Sequence, residues 1–171
     1  MIAPACLLAI LSSSAWAQIQ AGGHPILDRL GFLLGKWTGV VALEPPGQKP
    51  VEGPATWAIS IDMDGRYARI ELAHELKPFG TVRGLTMLGW DSAAKEYRSF
   101  TFTNSPMDKI EPRRETGALS GRKFTMASER GATLEYTQTF EVLESGELRY
   151  EMLAKLGDSM KRVASGLLRR G

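Results

Sequence analysis

Cysteine and histidine are nearly absent from this sequence. Among 171 residues the only cysteine is Cys6, and the only histidines are His24 and His74. Cys6 lies in an apolar leading segment, so a chain that begins after that segment carries no thiol. Disulfides, thiolate nucleophiles and cysteine metal sites are then excluded together. Two histidines without clustered carboxylates or cysteines fall short of a metal site. No Gly-x-Ser-x-Gly turn and no glycine-rich phosphate loop occurs, and two histidines give no legible Ser-His-Asp set. No metal or cofactor is expected.

An excess of one charge is missing too. The chain has 21 Lys and Arg against 19 Asp and Glu, a formal net charge of +2. The pairs Arg113-Arg114 and Arg169-Arg170 are isolated. Nucleic-acid binding needs a basic stripe with an aromatic stacking platform, so that partner class is set aside. After the leading segment no apolar run approaches the ~20 residues of a membrane helix, and no integral membrane segment is expected.

The leading segment itself has a recognisable form. Residues 2–11 are apolar except for Pro4, three serines follow, and Ala15-Trp16-Ala17 has the small-x-small form of a cleavage site. Residues 1–17 therefore read as a signal peptide, although no Lys or Arg precedes the apolar run. Cys6 lacks the Leu expected three residues before a lipidated cysteine. The remainder, 18–171, has the size of one domain and can bury a core without staples. The expectation is an exported protein, periplasmic or secreted, that is soluble once the segment is removed.

After His24-Pro25, apolar residues at Ile26, Leu27, Leu30, Leu33 and Leu34 keep a helical spacing, with Pro25 suited to the first helical position. Gly31 weakens this helix and Gly35 ends it. From there the period changes to two. Strands are expected over 36–43, 55–61, 66–76, 81–91, 97–103, 115–119, 123–128, 133–143, 147–155 and 160–168. Turn residues separate them, above all Asp64-Gly65. About ten short strands without a βαβ rhythm predict an all-β fold, an antiparallel up-and-down barrel behind a short N-terminal helix. An open sheet of that width would expose two edges, and closure removes them.

Gly35-Lys36-Trp37, directly after the helix, resembles the Gly-x-Trp that opens the first strand of lipocalins and other calycins. In those proteins the Trp packs against a basic side chain from the last strand. The resemblance assigns Gly35 and Trp37 a structural role, with Arg169 or Arg170 as the partner. The chain is also similar to a bacterial family of unknown function with a lipocalin-like barrel. That similarity is carried by His24 through Trp37, Asp64-Gly65-Arg66, Gly89-Trp90-Asp91 and Tyr97. It implies a calycin-type barrel and no settled activity. Haem-binding relatives, the nitrobindin-like proteins, use a histidine near the C-terminus, and this chain has none beyond His74.

Candidate chemistry sits on the predicted inner wall. Ile70, Leu72 and His74 share one face of a strand, and Arg69 and Glu71 share the other as a solvated pair. The richest feature is a set of aromatic and Met side chains: Trp57, Trp90, Phe100, Phe102, Phe140, Met87, Met126 and Met152. Inward residues either fill a barrel or leave a ligand cavity. The leading reading is a binding protein for a small apolar or amphipathic molecule. Its walls would be Trp57, Ile59, Ile70, Leu72, Trp90 and Phe102, with His74 as the polar contact. Two alternatives stay open: a structural or interaction barrel with a filled core, and an enzyme using His74 as acid or base.

Overall fold

The computed structural model describes residues 25–77, 80–104 and 112–171. A short helix, α1 (Pro25–Leu30), runs through one 3-10 turn (Gly31–Leu33) into the sheet. Ten strands follow: β1 (Gly35–Leu43), β2 (Val51–Asp62), β3 (Tyr67–Leu76), β4 (Gly80–Asp91), β5 (Glu96–Thr103), β6 (Arg113–Ser120), β7 (Lys123–Ser128), β8 (Tyr136–Val142), β9 (Leu148–Leu156) and β10 (Ser159–Arg170). Each pairs antiparallel with its sequence neighbour, and β1 pairs with β10, so the sheet is a closed barrel. The all-β architecture expected from the period-two pattern is the observed one. The expected signal peptide over 1–17, and His24, lie outside the described residues.

Local chemistry sets the hairpins. Asp64 and Gly65 both have positive φ, 54° and 84°, and the Arg66 N–H donates to Met63 O at 3.1 Å. That is a type I′ turn, whose twist matches the strands it joins. At the β4–β5 hairpin Asp91 Oδ1 accepts from the N–H groups of Ala93 and Ala94, each at 3.0 Å, an Asx turn.

Several boundaries differ from the sequence reading. β2 opens at Val51 rather than Ala55, with Pro54 opposite Val40 inside the ladder. A proline ordinarily argues against a strand interior, and here it sits near the strand's start. β6 begins at Arg113, and β8 begins at Tyr136 rather than Thr133. β10 extends to Arg170 after a register shift between Arg162 and Ala164.

Strand direction gives the barrel two different ends. β1 starts and β10 finishes beside α1, so the β2–β3, β4–β5, β6–β7 and β8–β9 turns share that helix end. The five remaining connections lie at the opposite mouth. Ile26, Leu30 and Leu33 cap the helix end and join the core with Trp37, which is fully buried. Trp37 Nε1–H donates to Leu33 O at 2.8 Å.

The basic partner of Trp37 is Arg170, and not Arg169. The Arg170 guanidinium lies 4.9 Å from the Trp37 ring centroid, and its Nη2 donates to Phe32 O at 2.9 Å. The reason is the two-residue period: Arg170 shares a face with the buried Leu168 and is the ladder partner of Trp37. Arg169 faces outward and donates to Glu147 at 2.9 Å. No helix among the described residues is long and apolar enough to cross a membrane.

Arg170→Ala removes a cation–π contact and a charged hydrogen bond from the cap. It should lower unfolding stability by about 1–2 kcal/mol. Arg169→Ala, which breaks only a surface ion pair, should be nearly neutral. Urea unfolding of the two variants checks this; equal losses would mean that the cap does not depend on Arg170.

Candidate functional site in the barrel interior

The two-residue period turns Trp57 and Ile59 of β2, and Ile70, Leu72 and His74 of β3, toward the barrel axis. Trp57 and Leu72 are ladder partners, as are Ile59 and Ile70, and Ala55 lies opposite His74. Arg69 and Glu71 face outward, 2.6 Å apart and solvated. Ile59 and Ile70 lie nearer the helix end and pack into the apolar core. His74 and Trp57 lie toward the mouth.

His74 is 7% exposed. Its Nε2 accepts the Trp57 indole N–H at 2.8 Å. Indole only donates, so the imidazole proton sits on Nδ1. Burial pushes the His74 pKa down to about 4, and near neutral pH the ring is uncharged. Its Nδ1–H has no hydrogen-bond partner among the described residues. His74 therefore offers a neutral donor to whatever lies beside it. A general-base role finds no support in this geometry, because the ring's one lone pair is held by Trp57.

The sequence reading did not single out the centre of the interior. Glu115 of β6 is 1% exposed. Its Oε2 accepts from the Ser99 hydroxyl at 2.6 Å and the Thr101 hydroxyl at 2.9 Å. Its Oε1 accepts from the Tyr136 phenol at 2.9 Å and Gln138 Nε2 at 2.6 Å. A carboxylate has about four acceptor positions, and two strands, β5 and β8, supply four donors. The network continues outward from this centre. Thr86 and Thr101 share a hydrogen bond at 2.7 Å, and the Tyr150 phenol donates to Gln138 Oε1 at 3.1 Å. Burial raises the Tyr150 pKa above its ordinary value, with the Glu115 charge adding to the push, so the phenol keeps its proton. Tyr150 in turn meets the Trp57 ring edge-on, with centroids 4.9 Å apart. Contacts thus run from His74 through Trp57, Tyr150 and Gln138 to Glu115. The Arg113 guanidinium stands 5.3 Å from the Tyr136 ring centroid, on the same β6 face as Glu115.

Two predicted wall residues are placed differently. Phe102 is on the outer surface, 47% exposed, as is Phe100. β5 turns Tyr97, Ser99 and Thr101 inward instead, because Ser99 and Thr101 are the donors that Glu115 requires. Trp90 is half-buried at the helix end, edge-on to Tyr97 at 4.9 Å between centroids, and at the opposite end of the barrel from His74. A usable signal for the missed cluster was Gln138, one polar residue on the face that carries Tyr136, Phe140 and Val142.

Two outcomes test this interior. Glu115→Leu strands four buried donors and should destabilise the barrel by about 3–5 kcal/mol, read from chemical unfolding; a loss under 1 kcal/mol would remove Glu115 from the centre of the network. For His74, the unfolded ring takes up a proton near pH 6.5 and the folded ring only near 4. Stability from this group is complete above pH 6.5 and is lost as the pH falls toward 4, by at most about 3 kcal/mol. His74→Gln keeps an acceptor for Trp57 and does not titrate, so its stability should fall less steeply across that window. Parallel curves for the two proteins would contradict a neutral buried ring.

No protein-family model matches this chain, and no curated protein matches it. Among solved structures, the barrel is similar to the crystal structure of Rv2717c from M. tuberculosis. The match has a TM-score of 0.62 and 16% sequence identity, and covers 86% of this chain and 98% of that one. At that identity the likeness is one of fold, a ten-stranded antiparallel β-barrel.

Proposed function

We propose that this chain is an exported calycin-type barrel that holds one small amphipathic molecule in the mouth half of its interior. The observation that carries this reading is the unpartnered Nδ1–H of His74 beside a buried polar network. An inert core needs no charged group inside, and burying a carboxylate costs several kcal/mol before its hydrogen bonds offset that cost. Export rests on the signal-like segment over 1–17, and the calycin assignment on the Gly35-Lys36-Trp37 opening with Arg170 over Trp37.

The chemistry narrows the ligand. His74 is neutral at physiological pH, so it favours a carbonyl, ether or hydroxyl oxygen over a carboxylate that would need a cation. Trp57 and Leu72 supply apolar wall beside it, and Met152 adds an adaptable thioether at the edge of the core. Ile59, Ile70 and Trp90 support the barrel from the helix end and are not assigned to ligand contact. Phe102, on the outer surface, is not assigned to it either.

A ligand-free structural barrel is favoured by a different observation. Trp57, Phe140 and Tyr150 pack against one another across the interior, with centroids 4.9–5.5 Å apart. Native mass spectrometry of the chain, purified gently from its host's exported fraction, separates the two readings. A non-covalent adduct that leaves on collisional activation is expected, with occupancy reduced about fivefold or more in His74→Leu. A clean apo mass, unchanged by incubation with host lipid extract, would establish the ligand-free barrel instead.

A further inference from the structure

A second concavity lies at the rim of the barrel's helix end, between the β4–β5 and β6–β7 hairpins. Its volume is about 470 Å³, within the range of about 300–1,000 Å³ typical of small-molecule sites. Its floor is unusually low. On the outer face of the β6–β7 hairpin, Thr116 stands opposite Ala127 and Ala118 opposite Thr125, so four small side chains lie where a wall ordinarily carries long ones. The inward-facing Trp90 and Tyr97, perpendicular neighbours at 4.9 Å between centroids, border it from the inner side of the rim.

The rim is cationic. Arg29 of α1 and Lys95 of the β4–β5 turn both border the groove and are both exposed. Neither forms an ion pair with a described residue. The acidic residue at the rim, Glu96, is already neutralised: Arg98 Nη2 lies 2.9 Å from its Oε1, and Arg98 also reaches Asp91 at 3.3 Å. Arg29 is near enough to the Tyr97 phenol to oppose the upward push that burial gives it, which places a positive field at the inner side of the rim. Two uncompensated cations beside a flat, low floor suit a ligand with an anionic end and a planar body.

We propose that this groove is a binding site, separate from the interior, for a small aromatic anion such as an aryl carboxylate. Its carboxylate lies between Arg29 and Lys95, and its ring lies on the Thr116–Ala118 surface. The proposal is independent of the interior reading, since His74 is near the opposite mouth.

Isothermal titration of the full chain with 2-naphthoate and with uncharged 2-naphthamide tests it. The acid should bind at least about tenfold more tightly than the amide, and the advantage should shrink as salt is raised to about 0.5 M. The double variant Arg29→Gln/Lys95→Gln should bring the acid down to the affinity of the amide. Ala118→Trp, at an exposed position, should fill the floor and abolish binding of both, with an unchanged melting temperature. His74→Leu should leave both affinities as they were. The proposal is overturned if 2-naphthoate does not bind, if acid and amide bind alike, or if the double variant matches the parent. Loss of binding in His74→Leu but not in Ala118→Trp would assign the acid to the interior.

Discussion

The β1–β10 ladder is the constraint on which the rest of the barrel depends. It joins seven residue pairs, from Trp37 opposite Arg170 to Leu43 opposite Ala164. Without it the sheet is a ribbon with two free edges and no inside. The seam also brings the two backbones very close. A Cβ on Gly39 would lie 2.1 Å from Leu167 O, and one on Gly166 would lie 2.7 Å from Val41 Cγ2. Glycine is the residue that permits such an approach. Trp37 and Arg170 then lock the seam at one end, each also hydrogen-bonded to the turn that follows the helix. A single cluster thus ties the cap, the first strand and the last strand together.

Closure makes every strand residue either internal or external, and this barrel uses its two internal halves differently. Near the helix, aromatic and aliphatic side chains pack tightly, as in the perpendicular Trp90, Tyr97 and Phe124 rings. Gly117 leaves the space that the Phe124 ring occupies. Toward the mouth, hydroxyls, amides and the Glu115 carboxylate replace them. The polar half is ordered around Glu115, whose carboxylate accepts from four side chains at once. Such a network gives rigidity when complete and becomes a liability when one member is lost.

Legibility in the sequence followed the same division. The strands, the Asp64-Gly65 turn and the Gly35-Lys36-Trp37 opening were readable because they depend on period and on local backbone chemistry. His74 facing inward with Ile70 and Leu72 was readable for the same reason. What failed was the assumption that apolar means internal. Phe100 and Phe102 were assigned inward on that basis, yet Ser99 and Thr101 hold the inner face, because a glutamate on the next strand needs their hydroxyls. That requirement is a relation between strands, and no single segment contains it. The choice between Arg169 and Arg170 was similarly out of reach, since it depends on a one-residue register across the seam.

The seam has a consequence in time as well as in space. Arg170 grips the carbonyl of Phe32, 138 positions earlier in the chain. Nearly the whole sequence must therefore be available before the cylinder can shut, and closing so long a loop delays the step that makes the fold cooperative. Shutting the seam is also the step that removes both sheet edges at once, so the contact most distant in sequence is the one that gives the sheet an inside.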